Sequence, residues 1–321
     1  MKHVFIINPT AGKFDRTKEI REQIHKLKTC DPVEIRLTRS KGEAAHLARQ
    51  IAQSGDEVRV YACGGDGTAN EVLTGIAGYK NCALGIIPIG SGNDFVRAME
   101  PYTREEFLSV EAMVEGKEQE IDLMECQGKY SMNIFSVGFD SEVADNVDRF
   151  KKLRGVSGSL AYKMSIVYCL FTKRKHPVKI YLDGKLFEKA DYKNTTLLAV
   201  AANGRYYGGG IKAAPKAVLD DGFMDFVHVN TLSVLKFISI VGKYMKGEHI
   251  DNPKLPFVTF GRYKKIKFEA EAPINVNFDG EIYQMENPEI TLLPKALRII
   301  LPAKKVAVAE RNEEEKVTAT V

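Results

Sequence analysis

Apolar positions in the first 125 residues follow two alternating patterns, which together predict a repeated strand–helix unit. Short apolar runs at His3–Asn8, Val33–Thr38, Val58–Cys63 and Ala83–Pro88 read as strands. Between them, Lys18–Leu27 places Ile20, Ile24 and Leu27 at helical spacing. Glu43–Gln53 does the same with Ala44, Leu47, Ala48 and Ile51, and Ala69–Ala77 with Val72, Leu73 and Ile76. Such alternation builds a parallel sheet covered by helices. Ligands of open sheets of this kind sit beyond the carboxyl ends of the strands. The segments to inspect are therefore Asn8–Gly12, Thr38–Gly42, Gly64–Thr68 and Gly90–Asp94.

After Asp122 strand-like stretches follow one another with little helix between them: Tyr130–Phe139, Val178–Leu182, Thr195–Asn203, Phe223–Val229, Lys264–Ala270, Ile274–Phe278 and Glu289–Leu293. Ile266 and Phe268 alternate with Lys265, Lys267 and Glu269, the pattern of a half-buried antiparallel sheet. Two helices interrupt it, Leu160–Phe171 and Leu232–Lys246, the second with Leu235, Ile238, Val241 and Met245 on one face. The last strand, Leu297–Leu301, is expected to return to the first domain, and the charged stretch Glu310–Lys316 to belong to a frayed polar tail. The expected fold is an α/β N-terminal domain with a parallel sheet, plus a mainly antiparallel β-sandwich C-terminal domain. The boundaries read as 1–125 with about 295–305 for the first, 126–294 for the second and 306–321 for the tail.

Composition narrows the function classes. At 321 residues, 44% hydrophobic and 27% charged, the chain is globular and long enough for two cores. Its 46 basic residues exceed the 42 acidic ones by four, too few for a nucleic-acid-binding surface. The N-terminal apolar run, Val4–Ile7, is shorter than a signal-peptide core, and Lys163, Lys236 and Lys243 interrupt the best candidates for a membrane span. A cytoplasmic protein is expected. Its five cysteines, Cys30, Cys63, Cys82, Cys126 and Cys169, form no C-x-x-C pair and read as reduced packing residues.

The stretch Cys63-Gly64-Gly65-Asp66-Gly67-Thr68-Ala69-Asn70-Glu71 runs from a strand through three glycines into a helix. Glycines let backbone approach a ligand closely, and a helix N-terminus favours phosphate. A polyphosphate fits; the alternative is a turn with an Asp N-cap. Neither G-x-x-x-x-G-K-[ST] nor G-x-G-x-x-G is present. Pro88–Phe95, with Gly90, Ser91, Gly92 and Asp94, is either a structural loop or a second wall of the same site. Asn8-Pro9-Thr10-Ala11-Gly12 ends the first strand, so three loops at equivalent strand ends can converge on one ligand.

In this order the motifs resemble the diacylglycerol kinase catalytic-domain family, in particular soluble bacterial lipid kinases, with sphingosine kinases as more distant relatives. The resemblance rests on Asn8–Gly12, Thr38 before Gly42-Glu43-Ala44, Gly64–Asn70, Gly90–Phe95, Gly208–Gly210, Ala214-Pro215, Asp220–Gly222 and Phe278–Glu281. The Gly-Gly-Asp-Gly-Thr run is shared with NAD kinases and phosphofructokinases, which implies that type of N-terminal fold. The resemblance implies that ATP binds Asn8, Pro9, Thr10, Ala11, Gly12, Thr38, Gly64, Gly65, Asp66, Gly67, Thr68, Ala69, Asn70 and Ser91. Asp66 and Asp94 are the carboxylates expected near the phosphates and Mg²⁺, with Asp66 also a catalytic candidate.

Asp279-Gly280 by itself reads as a tight hairpin turn at the surface. By the resemblance, this segment supplies the base that takes the proton from a lipid hydroxyl, with Glu281 favoured and Asp279 the alternative. A further Mg²⁺ is implied at the Asp221 carboxylate with the carbonyls of Val218 and Phe223. The implied activity is ATP-dependent phosphorylation of a membrane lipid, foremost diacylglycerol, by a protein that visits the bilayer transiently. The basic clusters Arg149–Arg154, Lys173–His176 and Arg262–Lys267 are either membrane contacts or solvated loops. Phosphatidylglycerol, a sphingoid base, NAD, or ATP binding without transfer are the rival readings, and a homodimer is left open.

Overall fold

The computed structural model describes residues 1–153, 158–188 and 195–304; the expected polar tail and Arg154 of the first basic cluster lie outside the described residues. The N-terminal part runs β1 (Lys2–Ile7), α1 (Thr17–His25), β2 (Val33–Leu37), α2 (Glu43–Ala52), β3 (Val58–Gly64), α3 (Asp66–Ile76) and β4 (Cys82–Pro88). Three short helices follow: α4 (Asp94–Arg97), α5 (Arg104–Leu108) and α6 (Val110–Val114). Adjacent strands pair in parallel in the order β4-β3-β1-β2. Both faces of β1, β3 and β4 are covered, so these strands are apolar at nearly every position rather than alternating. Ile20 and Ile24 of α1 and Ala44, Ala48 and Ile51 of α2 pack onto them, as their spacing predicts.

The C-terminal part opens with β5 (Lys117–Cys126), β6 (Lys129–Ser131), β7 (Ile134–Gly138), α7 (Phe139–Lys151) and α8 (Gly158–Thr172). It continues through β8 (His176–Pro177), β9 (Lys179–Leu182), β10 (Lys185–Leu186), β11 (Thr195–Ala202), β12 (Met224–Asn230) and α9 (Val234–Met245). Five strands close it: β13 (Val258–Tyr263), β14 (Lys265–Glu269), β15 (Ile274–Phe278), β16 (Glu281–Met285) and β17 (Glu289–Leu301). An antiparallel sheet ordered β13-β12-β11-β7-β15-β16 faces a second layer containing β5, β9, β14 and the first half of β17. Phe135, Phe226, Phe268 and Phe278 fill the space between the layers. This is the expected α/β plus β-sandwich architecture.

The long strand β17 joins the two parts. Its first half pairs antiparallel with β14, whereas Arg298 and Ile299 pair in parallel with Ala83 and Leu84 of β4. β5 runs beside it along nearly its whole length, so one sheet passes without a break through both parts, and residue 125 falls inside β5. The shared sheet fixes how the loops after β1, β3 and β4 face the sandwich. On the far side of β7, β11 and β12, helices α7, α8 and α9 enclose a third apolar cluster.

Candidate active site

Three strand ends meet beyond the parallel sheet. After β1, the Asn8 carboxamide oxygen accepts from the Thr10 amide at 3.0 Å and the Thr10 hydroxyl at 2.8 Å. Its Nδ2 donates to Thr68 Oγ1 on α3 at 3.0 Å, fastening the first loop to the second. No side chain caps the start of α3, where Gly65 is extended, so the helix offers its N-terminus to the cleft as an anion site. The third loop closes on the second through Gly90 N–H to Gly64 carbonyl and Asn93 Nδ2 to the same oxygen, at 3.0 and 3.2 Å.

Asp66 has a more structural task than the sequence alone shows. Its two carboxylate oxygens accept from the amides of Asn93 at 2.6 Å and Asp94 at 2.8 Å, holding the third loop against the first turn of α3. A Cβ on Gly92 would lie 2.6 Å from Asp66 Oδ2, which is why the clasp needs glycine there. Burial, and next the neighbouring Asp94, raise the Asp66 pKa above the ordinary carboxylate value. Asp94 in turn reaches across to the C-terminal part: its Oδ2 accepts from the Gly209 amide at 2.7 Å and its Oδ1 lies 3.6 Å from Arg97 Nε.

From the sandwich side comes the β15–β16 hairpin. Phe278 pairs with Glu281, so Asp279 and Gly280 form a two-residue turn, both with positive φ (48° and 98°). The expected tight turn is present, but it is tucked inward. Asp279 Oδ1 accepts from Ser131 Oγ and the Ile134 amide, both at 2.7 Å, and Oδ2 from the Met132 amide at 3.2 Å and Asn70 Nδ2 at 3.4 Å. Burial pushes its pKa up to about 6, against the opposing pull of these donors. Glu281, half-buried, bonds Lys41 Nζ at 2.6 Å, and its Oε1 lies 3.8 Å from where a Cβ on Gly67 would stand. It therefore sits over the N-terminus of α3. The ion pair raises the Lys41 pKa, chiefly through the hydrogen bond to Glu281.

All of this borders one cleft of about 1250 Å³. Asn8, Thr10, Ala11, Gly12, Thr38, Gly65, Asp66, Gly67, Thr68, Ser91, Asp94, Asp279 and Glu281 line it; Pro9, Gly64, Ala69 and Asn70 stand behind these as support. Past Gly208–Gly210 the cleft becomes an apolar chamber between α7, α8 and α9, walled by Val143, Ile166, Leu170, Phe237, Ile240 and Val241. Its polar members are Asp140 and the tyrosines 162, 207 and 244. Asp140 accepts from Ser136 Oγ at 2.5 Å and from the Ser141 amide at 2.8 Å, and burial pushes its pKa up to about 6.

Sequence reasoning missed Lys41, Asp140 and the chamber. Lys41 lies inside a strand-end segment already marked for inspection, and that was its only signal. Val218, Asp221 and Phe223 lie away from the cleft. The Asp221 carboxylate is paired with Arg262 and accepts from the Phe223 amide at 3.1 Å. No chemical step is derived through the expected Mg²⁺ site. The basic cluster Arg262–Lys267 is likewise engaged, with Arg262 on Asp221 and Asp225 and Lys265 on Glu289.

Comparison with known proteins covers both parts of the chain. Residues 2–126 match the diacylglycerol kinase catalytic domain, and residues 133–301 match the YegS C-terminal NAD kinase beta sandwich-like domain. A diacylglycerol kinase of Bacillus subtilis is 30% identical over 309 residues, covering 95% of this chain and 98% of that protein. One from Mycobacterium tuberculosis is 32% identical over 305 residues, covering 92% and 94%. The crystal structure of a diacylglycerol kinase from Bacillus anthracis superposes with a TM-score of 0.67 at 23% identity, covering 93% and 96%, which speaks for the fold.

Proposed function

The chain belongs to the diacylglycerol kinase catalytic-domain family of lipid kinases, and on that premise we propose that it transfers the γ-phosphate of ATP to the free hydroxyl of diacylglycerol, giving phosphatidic acid. The continuity of the cleft carries this reading. One end presents an uncapped helix N-terminus and glycine loops suited to phosphates, with Glu281 sitting over that N-terminus, and the other an apolar chamber suited to acyl chains. A kinase acting on a soluble dinucleotide has no use for an acceptor chamber walled by valine, isoleucine, leucine and phenylalanine.

The loops of Asn8–Gly12, Gly65–Thr68 and Ser91 hold the polyphosphate through backbone amides, with the γ-phosphate at the start of α3 beneath Glu281. The lipid hydroxyl enters from the chamber side. Its oxygen forms the new bond to the γ-phosphorus as the bond from that phosphorus to the β–γ bridging oxygen breaks; the electron pair leaves with ADP, and Glu281 accepts the hydroxyl proton. Glu281 suits the base role better than Asp279, because both oxygens of Asp279 are already occupied by four donors. Asp279 is instead a positioning residue, tying Asn70 of the nucleotide helix to Ser131–Ile134 of the sandwich. Mg²⁺ accompanying the nucleotide would neutralise charge on the phosphates. Asp94 is the cleft carboxylate that would face it, through Oδ1, which accepts no hydrogen bond, whereas Asp66 spends both oxygens on the Asn93 and Asp94 amides.

The test is transfer of label from γ-labelled ATP to diacylglycerol, other lipids and NAD by wild type and by Glu281→Gln. The substitution is expected to lower kcat by roughly 100- to 10,000-fold with little change in the KM for ATP. Label that enters NAD and no lipid would defeat the reading, and a variant as fast as wild type would remove Glu281 from the base role.

A further inference from the structure

The chamber is open at its outer end. Val167 of α8 and Ile238 and Met245 of α9 line the cleft and are also exposed to solvent. Residues that do both form a rim, so the way into the chamber runs between these two helices. The rim continues outward as an apolar surface. Leu235 is three residues from Ile238, hence beside it on α9, and is 83% exposed. Phe171 is four residues from Val167 on α8 and is 66% exposed. Arg174 donates from Nη1 to the Leu232 carbonyl at 2.7 Å, which brings the Phe171 end of α8 to the Leu235 end of α9. None of the residues of α9 is buried, although its apolar spacing is that of a helix with a core face.

Charge separates a lipid surface from a protein partner here. The only ionisable residues with full charges on α8 and α9 are Lys163, Lys236 and Lys243; neither helix holds an Asp or Glu. Lysine stems lie along apolar surface while their ammonium groups reach the level of lipid phosphates. Large apolar side chains accompanied only by cations match a helix pair lying in the interface of an anionic bilayer. No described helix is long and apolar enough to cross a membrane, so the contact is with one leaflet.

The geometry points to the α8–α9 face as the docking surface for an anionic bilayer, with Phe171 and Leu235 entering the boundary between headgroups and acyl chains. The acceptor lipid then passes between the helices into the chamber without crossing water. The identity of that cargo rests on the lipid-kinase reading; the docking is measured separately from it.

Phe171→Glu, Leu235→Glu and the double variant are tested for cosedimentation with vesicles of phosphatidylglycerol and phosphatidylcholine, without nucleotide. Transfer to a short-chain, water-dispersed diacylglycerol is assayed alongside. Neither residue lines the cleft. The double variant is expected to bind these vesicles on the order of 30-fold more weakly than wild type while keeping wild-type transfer to the short-chain lipid. Wild type is expected to bind pure phosphatidylcholine vesicles less well, and to lose binding to the anionic ones as salt is added. Unchanged vesicle binding by the double variant overturns the docking face even if lipid phosphorylation is confirmed. A wild-type dimer that the substitutions dissociate, with vesicle binding intact, assigns the face to a second copy and overturns it as well. Loss of binding in the variants together with no transfer to any lipid by wild type would uphold the docking face and remove the kinase reading.

Discussion

On the proposed reading, the two ends of the cleft would recognise their ligands by different means. At the nucleotide end, backbone meets backbone: Gly90 lies against Gly65, Asp66 clasps two main-chain amides, and the phosphate site is the start of a helix. At the acceptor end, side chains of α7, α8 and α9 line a chamber whose walls are interchangeable apolar groups. The first design leaves no room for a Cβ at Gly12, Gly64, Gly90 or Gly92 and ties its loops with a few polar side chains. The second tolerates exchange of one apolar group for another and fails when its volume is filled. Each end can be attacked where the other would be indifferent.

Gly90→Ala should have the largest effect. A Cβ there would overlap the Gly65 backbone, and neither loop can yield without breaking the Gly90–Gly64 hydrogen bond. A loss of about 3 kcal/mol in urea unfolding is expected, with a raised KM for ATP and an unchanged chain-length preference for the lipid. A silent substitution would mean that the loops are not held in register by close backbone contact.

Next comes the half-buried acid of the chamber. Asp140 titrates at about 6 in the fold against an ordinary 3.8, so between those values the folded protein holds a proton that the unfolded chain has released. Its contribution is therefore favourable at pH 4 and is lost as pH rises through about 6. Asp140→Asn removes that loss but keeps only part of the bonding to Ser136 and Ser141. It should gain roughly 2 kcal/mol relative to wild type on going from pH 4 to pH 7.5. Parallel stability–pH curves for the two proteins would show that the chamber is wetter than its walls imply.

Val241→Trp puts a large ring into the chamber from α9. Transfer to long-chain diacylglycerol should fall about tenfold in kcat/KM, with little change for a short-chain acceptor and none in the KM for ATP. Equal losses on both lipids would indicate disturbed folding rather than a filled chamber.

The same contrast explains what could be read from the sequence. Glycines and an Asp at strand ends are demanded by local backbone geometry, so Gly64–Thr68 and Gly90–Asp94 stood out, and the parallel sheet beneath them followed from uninterrupted apolar runs. The chamber left no such mark. Val143, Ile166 and Val241 are the residues a solid core would also use, and only the assembled helices reveal that they enclose space. On α9 the pattern Leu235, Ile238, Val241, Met245 read as one apolar face; in the structure Val241 faces the cleft, Ile238 and Met245 form its rim, and Leu235 faces solvent. Asp279 shows the same limit. Its turn is local and legible, but its inward aim depends on Ser131, Met132 and Ile134, far away in sequence. The Arg262 that takes Asp221 is a similar non-local partner, invisible to spacing.

Lys41→Met should have the smallest effect on stability and sharpens the contrast most. Lys41 joins the strand-end loop after β2 to Glu281 of the sandwich, and unlike the more buried links of Asp66 and Asn93 it is an exposed side-chain link. Its side chain is 79% exposed, so water and salt screen the pair and the exchange should cost no more than about 1 kcal/mol. If the backbone clasps alone keep the nucleotide end in place, the unfolding midpoint will barely move, and the small difference from wild type will shrink further in high salt. A salt-independent loss above about 2 kcal/mol would place Lys41 among the groups that hold the two parts together, and the distinction between a main-chain end and a side-chain end would then have to be withdrawn.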